Sequence, residues 1–317
     1  MNKSRPILIA LVIVLVLCFA ITATLPTAPA VAAPKPTATP TPTGPTPTPP
    51  PTPPGMRAGL RASNYGITPF PSPSWWVNSI NSMASRWPGS VGEQVAVVVE
   101  VSGGGGRGKC WAHFPQPATG TWPNVNWDTA DLFEPAFDAF DAAGIKVWVQ
   151  VEPATCDVPM LINLVMQQYG HHPSVIGFGV DVEWYRKDIQ RTGKAVTDAE
   201  AQAWVTQTRG YNASYLVFLK HWLTEKMPPT YRTGLVFIDD SQGHGSLTNM
   251  VNEFKIWGQT FAPAPVGYQY GYQSDKTWWG TLPDPPRTIG NELLRNIPNT
   301  RDLIWVDFTA YDIWPPQ

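Results

Sequence analysis

The segment Gly177-Phe178-Gly179-Val180-Asp181-Val182-Glu183-Trp184-Tyr185 ends an apolar run with two carboxylates two residues apart. On an extended strand such residues share a face, so Asp181 and Glu183 point together while Val180 and Val182 point away. Close carboxyls push one pKa up, leaving one group able to donate a proton beside one that stays ionised. That division of labour suits cleavage of a glycosidic bond, with Glu183 as general acid and Asp181 as its electrostatic partner. Trp184 adds a flat apolar face of the kind that stacks on a sugar ring. The competing reading is a pair of acids satisfied by Arg186 or Lys187 at a strand end.

Other β-rich runs also finish in acid. Glu100 and Glu152 end two of them, Asp239 and Asp240 a third, and Asp307 lies late in the last. Acids collected from five strands at one rim are costly unless they bind something or share protons. Asp239, Asp240 and Glu152 are therefore candidates for the second carboxylate, the nucleophile or base. A carboxyl separation of about 5–5.5 Å would mean retention, and roughly 6.5–9.5 Å inversion.

The elements that must hold these groups alternate. Strands are predicted over Gly59–Gly66, Gln94–Val101, Lys146–Glu152, Val175–Glu183, Gly234–Asp240, Val266–Gly271 and Asp302–Phe308. Between them lie helix signals: Asp128 or Thr129 opening a helix to Ala143 with Gly144 as its stop, and Asp157 with Pro159 opening another to Gly170. Thr197-Asp198-Ala199-Glu200 is a capping box, read as the start of one long helix reaching Met227. Its stripe is Ala201, Trp204, Thr208, Tyr211, Tyr215, Phe218 and Trp222. Near-continuous apolar strands such as Val95-Ala96-Val97-Val98-Val99 imply a parallel sheet covered by helices. The fold class is α/β, a (β/α)8-type TIM barrel with seven clear strands, irregular or with an eighth hidden near Thr277–Pro286. A doubly wound open sheet is the alternative. No G-x-G-x-x-G follows the first strand, and Gly103–Gly106 lacks the Lys-Ser/Thr of a phosphate loop, so no nucleotide cofactor is expected.

The Asp181–Glu183 segment resembles the fourth-strand signature of the family 18 chitinases, D-x-x-D-x-D-x-E, whose terminal Glu is the acid. The resemblance places that acid at Glu183 and the preceding Asp at Asp181. It departs at Gly179 and Ile176, where the family has its other two aspartates. That family also uses a sixth-strand tyrosine to help the substrate's N-acetyl group act as nucleophile. Val266-Gly267-Tyr268-Gln269-Tyr270 offers aromatics there without the family's Met-x-Tyr-Asp. Family 25 lysozyme-like muramidases, which carry Asp-x-Glu at a barrel strand end, are similar as well. Both likenesses imply a TIM-barrel glycosidase.

Further candidates for holding substrate are Trp111, Trp122 and Trp127 after the second strand, Trp278 and Trp279 after the sixth, and Asp307. Tyr268, Gln269, Tyr270, Tyr272 and Gln273 could add hydroxyl recognition, with alternation bringing only one set inward. Trp148 and Trp305 read as core. His171-His172 precede a strand, at the wrong end of a barrel for catalysis, and read as structural. Asp240, His244 and Glu183 form no tight ligand motif, so no metal is expected. There is no G-x-S-x-G elbow. Cys110 and Cys156 fall in loops after neighbouring strands, which suits one disulfide.

Composition divides the 317 residues into three. Lys3 and Arg5, an apolar run Ile7–Ile21 and Ala30-Val31-Ala32 read as an export signal over 1–32, either cleaved or kept as a membrane anchor. Residues 33–55 form a spacer, with 11 of the 35 prolines and 7 threonines in Pro34–Pro54. It is similar in composition to linkers of secreted bacterial polysaccharide-degrading enzymes. Residues 56–317 hold all 15 tryptophans and every acidic residue. An acidic domain is a poor nucleic-acid binder. The expectation is a secreted or extracellular single barrel acting as a monomer on β-linked polysaccharide, with no cofactor. The alternative is a barrel that binds glycans or a surface partner without cleaving.

Overall fold

The computed structural model describes residues 50–102 and 107–316. The export segment, most of the Pro/Thr-rich spacer and the glycine run Gly103–Gly106 lie outside the described residues. The strands, in chain order, are β1 (Arg57–Ala62), β2 (Val91–Ser102), β3 (Lys109–Ala112), β4 (Val125–Trp127), β5 (Lys146–Val151), β6 (Val175–Asp181), β7 (Leu216–Lys220), β8 (Leu235–Asp239), β9 (Val266–Tyr270) and β10 (Thr300–Trp305). Eight of them, all except β3 and β4, pair in parallel, and β1 bonds to both β2 and β10. The eight parallel strands therefore close into the expected α/β barrel with no edge among them. β3 runs antiparallel to the end of β2 and carries β4 at its side, an extension beyond the barrel wall.

The helices are α1 (Pro73–Ala84), α2 (Glu134–Ala143), α3 (Val158–Tyr169), α4 (Asp198–Tyr211), α5 (Leu247–Phe261), α6 (Lys276–Trp279), α7 (Pro285–Asn296) and α8 (Ala310–Ile313). Local chemistry sets their ends. Asp157 caps α3 by accepting from the Met160 N–H, and Thr197 and Glu200 form the full capping box of α4. α2 starts later than expected. Asp131 accepts from the Phe133 and Glu134 N–H groups there, while Asp128 instead holds Trp111 and His113. Gly144, at φ 71°, ends α2 in the left-handed conformation that glycine adopts without penalty.

The eighth strand is β7, which the pattern had merged into one helix running to Met227. α4 stops at Tyr211 because the Asn212 carboxamide accepts from both the N–H and the hydroxyl of Ser214, turning the chain. Over five residues the in–out alternation of a strand coincided with helical spacing, so Tyr215 and Phe218 looked like one stripe. Thr277–Pro286 is no strand; it holds α6 and the start of α7. Only a short 3-10 turn, Thr224–Lys226, separates β7 from β8, so the barrel is irregular in its helices.

The core has two layers. Val95, Trp148, Phe218, Val236, Ile238 and Ile304 fill the barrel, and a larger set, including Ala58, Leu60, Tyr268 and Trp305, packs between barrel and helices. Below the inner layer Arg57 pairs with Glu93 at 3.2 Å and Asp302 at 2.6 Å, and Trp148 Nε1 donates to Glu93. Cys110 and Cys156 are disulfide-bonded as expected, tying β3 to the loop after β5.

Candidate active site at the barrel mouth

The C-terminal ends of the barrel strands deliver a ring of charge. Arg61 comes from β1, Glu152 from just past β5, Asp181 from β6, Lys220 from β7 and Asp240 from just past β8. With Tyr65, Glu183, Trp184, Gln242, Tyr272 and Phe308 they line a cavity of about 230 Å³. A second hollow of about 340 Å³ lies beside it, lined by Glu183, Trp222, Asp240, Ser241, Gln242 and Glu253. Glu183, Asp240 and Gln242 line both, so they mark the seam between two lobes of one mouth. A larger cavity, about 590 Å³ between α1 and α8, has no ionisable group in its lining other than the phenol of Tyr311 and sits apart from this chemistry.

Two buried cations organise the carboxylates. Lys220 Nζ lies 2.7 Å from Asp181 Oδ2 and donates to Asp240 Oδ2. Burial opposes its charge, yet the two aspartates hold Lys220 well above an ordinary lysine. Burial raises the Asp181 carboxyl, with Lys220 pulling it back and Asp240 pushing it further. Arg61 pairs with Asp307 at 2.8 Å and reaches Glu152 at 3.5 Å. It also donates to the Tyr65 hydroxyl, which in turn donates to Glu152 Oε1. Glu152 Oε2 accepts the Val101 N–H at 3.1 Å. Burial and then Asp181 push Glu152 up to about 7, against the pull of Arg61.

Glu183 differs from these sealed groups. Its side chain is 26% exposed and rests 2.9 Å from Lys187, whose ammonium also lies 3.6 Å from the Trp184 ring centre. Burial, then Asp181, raises its carboxyl above the ordinary range while Lys187 opposes. β6 ends at Asp181 and Glu183 lies in a 3-10 turn, so strand alternation is not what joins them. The Asp181 side chain accepts the Glu183 N–H at 3.2 Å, and both side chains still reach the cavity.

Placement separates the other expected residues. Asp240 faces the mouth, whereas Asp239 points away and accepts from the N–H and hydroxyl of Ser241. Tyr268 and Tyr270 are turned outward into the helical layer, where their hydroxyls donate to the carbonyls of Phe254 and Pro286. Alternation puts Gln269 inside the barrel instead, fully buried. With β7 counted, β9 is also the seventh barrel strand and not the sixth. Asp307 lies under the mouth holding Arg61 and Ser63. Trp111 is 40% exposed on β3 with its N–H on Asp128, and Trp278 donates to the His244 carbonyl; neither lines either lobe. His244 pairs with Glu253 at 3.2 Å.

The residues missed from sequence are Arg61, Tyr65, Lys220, Gln242 and Phe308. A lysine closing Leu216-Val217-Phe218-Leu219 was the available signal, parallel to the acids closing the other runs. Tyr65 and Phe308 stack with ring centres 5.8 Å apart and are 44% and 47% exposed, an aromatic platform on the rim. The family 18 pattern also meets a steric obstacle: a Cβ on Gly179 would lie 2.1 Å from Phe218 Cζ, so no aspartate fits there unless Phe218 moves.

No family model and no curated protein matches the chain in sequence. Among solved structures it is similar to a β-glucuronidase from Parabacteroides merdae, at 12% identity, covering 78% of this chain and 31% of that one, with a TM-score of 0.44. It is similar also to a putative α-L-fucosidase from Bacteroides thetaiotaomicron, at 9% identity, 82% and 94% coverage and a TM-score of 0.42. A dihydropteroate synthase from Xanthomonas albilineans matches at 12% identity, 80% and 88% coverage and a TM-score of 0.37. The chain spans about a third of the length of the first of these. The barrel is read from its own strand pairings, and likenesses at this level add nothing about its chemistry.

Proposed function

We propose that the domain is a glycoside hydrolase that cleaves polysaccharide, with the scissile bond held at the seam of the two lobes. The observation that carries this reading is that Glu183 and Asp240 line both lobes while aromatic faces flank them. A sugar in the axial lobe would meet Tyr65, Trp184, Tyr272 and Phe308, and its neighbour would meet Trp222 in the outer lobe. Together the lobes reach the volume typical of small-ligand clefts, about 300–1,000 Å³.

Glu183 is the general acid in this reading. It is solvent-accessible, its carboxyl is raised toward the protonated form, and it can swing from Lys187 to a leaving-group oxygen. Asp240, paired with Lys220 across the seam, is the opposing carboxylate that serves as nucleophile or base. Asp181 sits beneath both and holds the Glu183 backbone. Glu152 suits this work less, because it is fully buried and both its oxygens already accept hydrogen bonds. Lys187 keeps Glu183 paired until substrate displaces it. Export and an extracellular site of action are part of the same proposal, supported by the 1–32 segment and the disulfide.

A second reading, a barrel that binds glycans without cleaving them, is favoured by the pairing of every mouth carboxylate with an internal partner. Incubation with chitin, peptidoglycan, cellulose and other β-glucans separates the two. Hydrolysis expects sugar release by the wild type and none by Glu183→Gln. Binding without release by either protein supports the second reading, and equal release by both removes Glu183 as the acid.

A further inference from the structure

Away from the mouth, the turn between α3 and β6 carries His171 and His172 against a face of α2 that presents Glu134, Asp138 and Asp141. His172 is 3% exposed, and its Nδ1 lies 2.7 Å from Asp141 Oδ2. The other Asp141 oxygen accepts the Ser174 N–H at 2.9 Å. In the tautomer that donates Nδ1–H to Asp141, His172 turns the lone pair of Nε2 the other way.

That lone pair faces Glu134 Oε1 at 3.3 Å, a contact without hydrogen-bond geometry, and Nε2 has no other partner. Two acceptors so placed repel each other unless a cation lies between them. His171 Nε2 is 3.5 Å from the same carboxylate oxygen, and the two imidazole ring centres are 4.0 Å apart. All three ligand atoms fall within 4.8 Å of one another. Bonds of about 2.0–2.1 Å at tetrahedral angles separate neighbouring ligand atoms by roughly 3.3–3.4 Å. Both Glu134–histidine separations stand close to that edge length.

We propose that Glu134, His171 and His172 bind a divalent transition metal, with zinc as the first choice. Two imidazoles and one carboxylate select zinc, nickel or copper over magnesium and calcium, which require oxygen donors. Asp141 is the positioning residue: its bond to Nδ1 fixes the tautomer and aims Nε2 at the ion. The side chains of His171 and Glu134 are 60% and 35% exposed, so water can reach the ion and complete its coordination. The metal would staple α2 to the turn that starts β6, at the end of that strand away from Asp181.

The test is zinc titration of the untagged, metal-stripped full-length chain at pH 7.5, read by calorimetry and thermal unfolding. One zinc per chain is expected, with a raised unfolding midpoint and no response to magnesium. His171→Ala removes an exposed ring without touching the core and should weaken zinc binding on the order of 100-fold; Asp141→Asn should cost about 10- to 100-fold through tautomer control. His172→Ala should abolish binding, and His171→Ala reads the same site should that variant not fold. Absence of tight zinc binding, or unchanged affinity in His171→Ala, overturns the site. Detection by NMR of a proton on His172 Nε2 in the presence of excess zinc overturns it too, since the proton is then the cation between the two acceptors.

Discussion

The barrel contains the same device at both ends, one buried cation holding two carboxylates. At the floor Arg57 serves Glu93 and Asp302; at the mouth Lys220 serves Asp181 and Asp240, and Arg61 serves Asp307 and Glu152. Burial pushes Glu93 well above an ordinary glutamate and raises Asp302 as well, as it raises Asp181 and Glu152. Perturbed titration therefore does not separate the two ends. Access does: Glu93 and Asp302 have no exposed surface, whereas the mouth opens to a two-lobed cavity and includes the partly exposed Glu183. On the proposed function, the floor network is structural and the mouth network prepares charge for a substrate.

The comparison breaks first at Glu183. Glu183→Gln should lower kcat by about a hundredfold to ten-thousandfold, the range of a lost general acid, and change stability by no more than about 0.5 kcal/mol. Arg57→Met should do the reverse. It leaves two carboxylates buried without a countercharge and should cost about 3–5 kcal/mol in urea unfolding, with activity per folded molecule unchanged. Loss of turnover without loss of stability in Arg57→Met would erase the distinction between floor and mouth.

The barrel was legible because most of its strands are apolar runs and several are followed by acids, and helix caps such as Asp157 and Thr197 speak through local chemistry. The merging of β7 into α4 cost most. No glycine or proline separates α4 from β7, so its five residues continued the helical spacing, and with β7 went Lys220, the cation that organises the site. Tyr268 and Tyr270 were misplaced for another reason: alternation gives two faces but does not say which one is inside. Gly267 and Gln269 take the inner face, which leaves the rings to the helical layer. Arg61 was invisible because its partners, Asp307 and Glu152, lie 246 and 91 positions away in sequence and meet it only on barrel closure.

A smaller effect reads the mouth network by pH. Glu152 binds its proton more tightly when folded, at about 7, than in an unfolded chain near 4.5. Its contribution to stability is then complete below about pH 4.5 and is lost as pH rises through about 7, a change of roughly 3 kcal/mol. Glu152→Gln removes this titration. The difference between wild-type and variant unfolding free energies should slope across that window and be flat above about pH 8. A difference that is level from pH 4 to 8 would place the raised proton affinity elsewhere in the network.

The smallest effect tests Glu183 by its own electrostatics. Lys187 is the partner that pulls its carboxyl down, opposing burial and Asp181. Lys187→Met removes that pull, so Glu183 should keep its proton to higher pH. A general acid fails when it ionises, which means that the alkaline limb of kcat/KM against pH should move upward. Exposure of the pair limits the shift to about half a pH unit, under 1 kcal/mol. The direction carries the information: a structural ion pair would lose a little stability and leave the limb in place, and only an acid at Glu183 moves it upward.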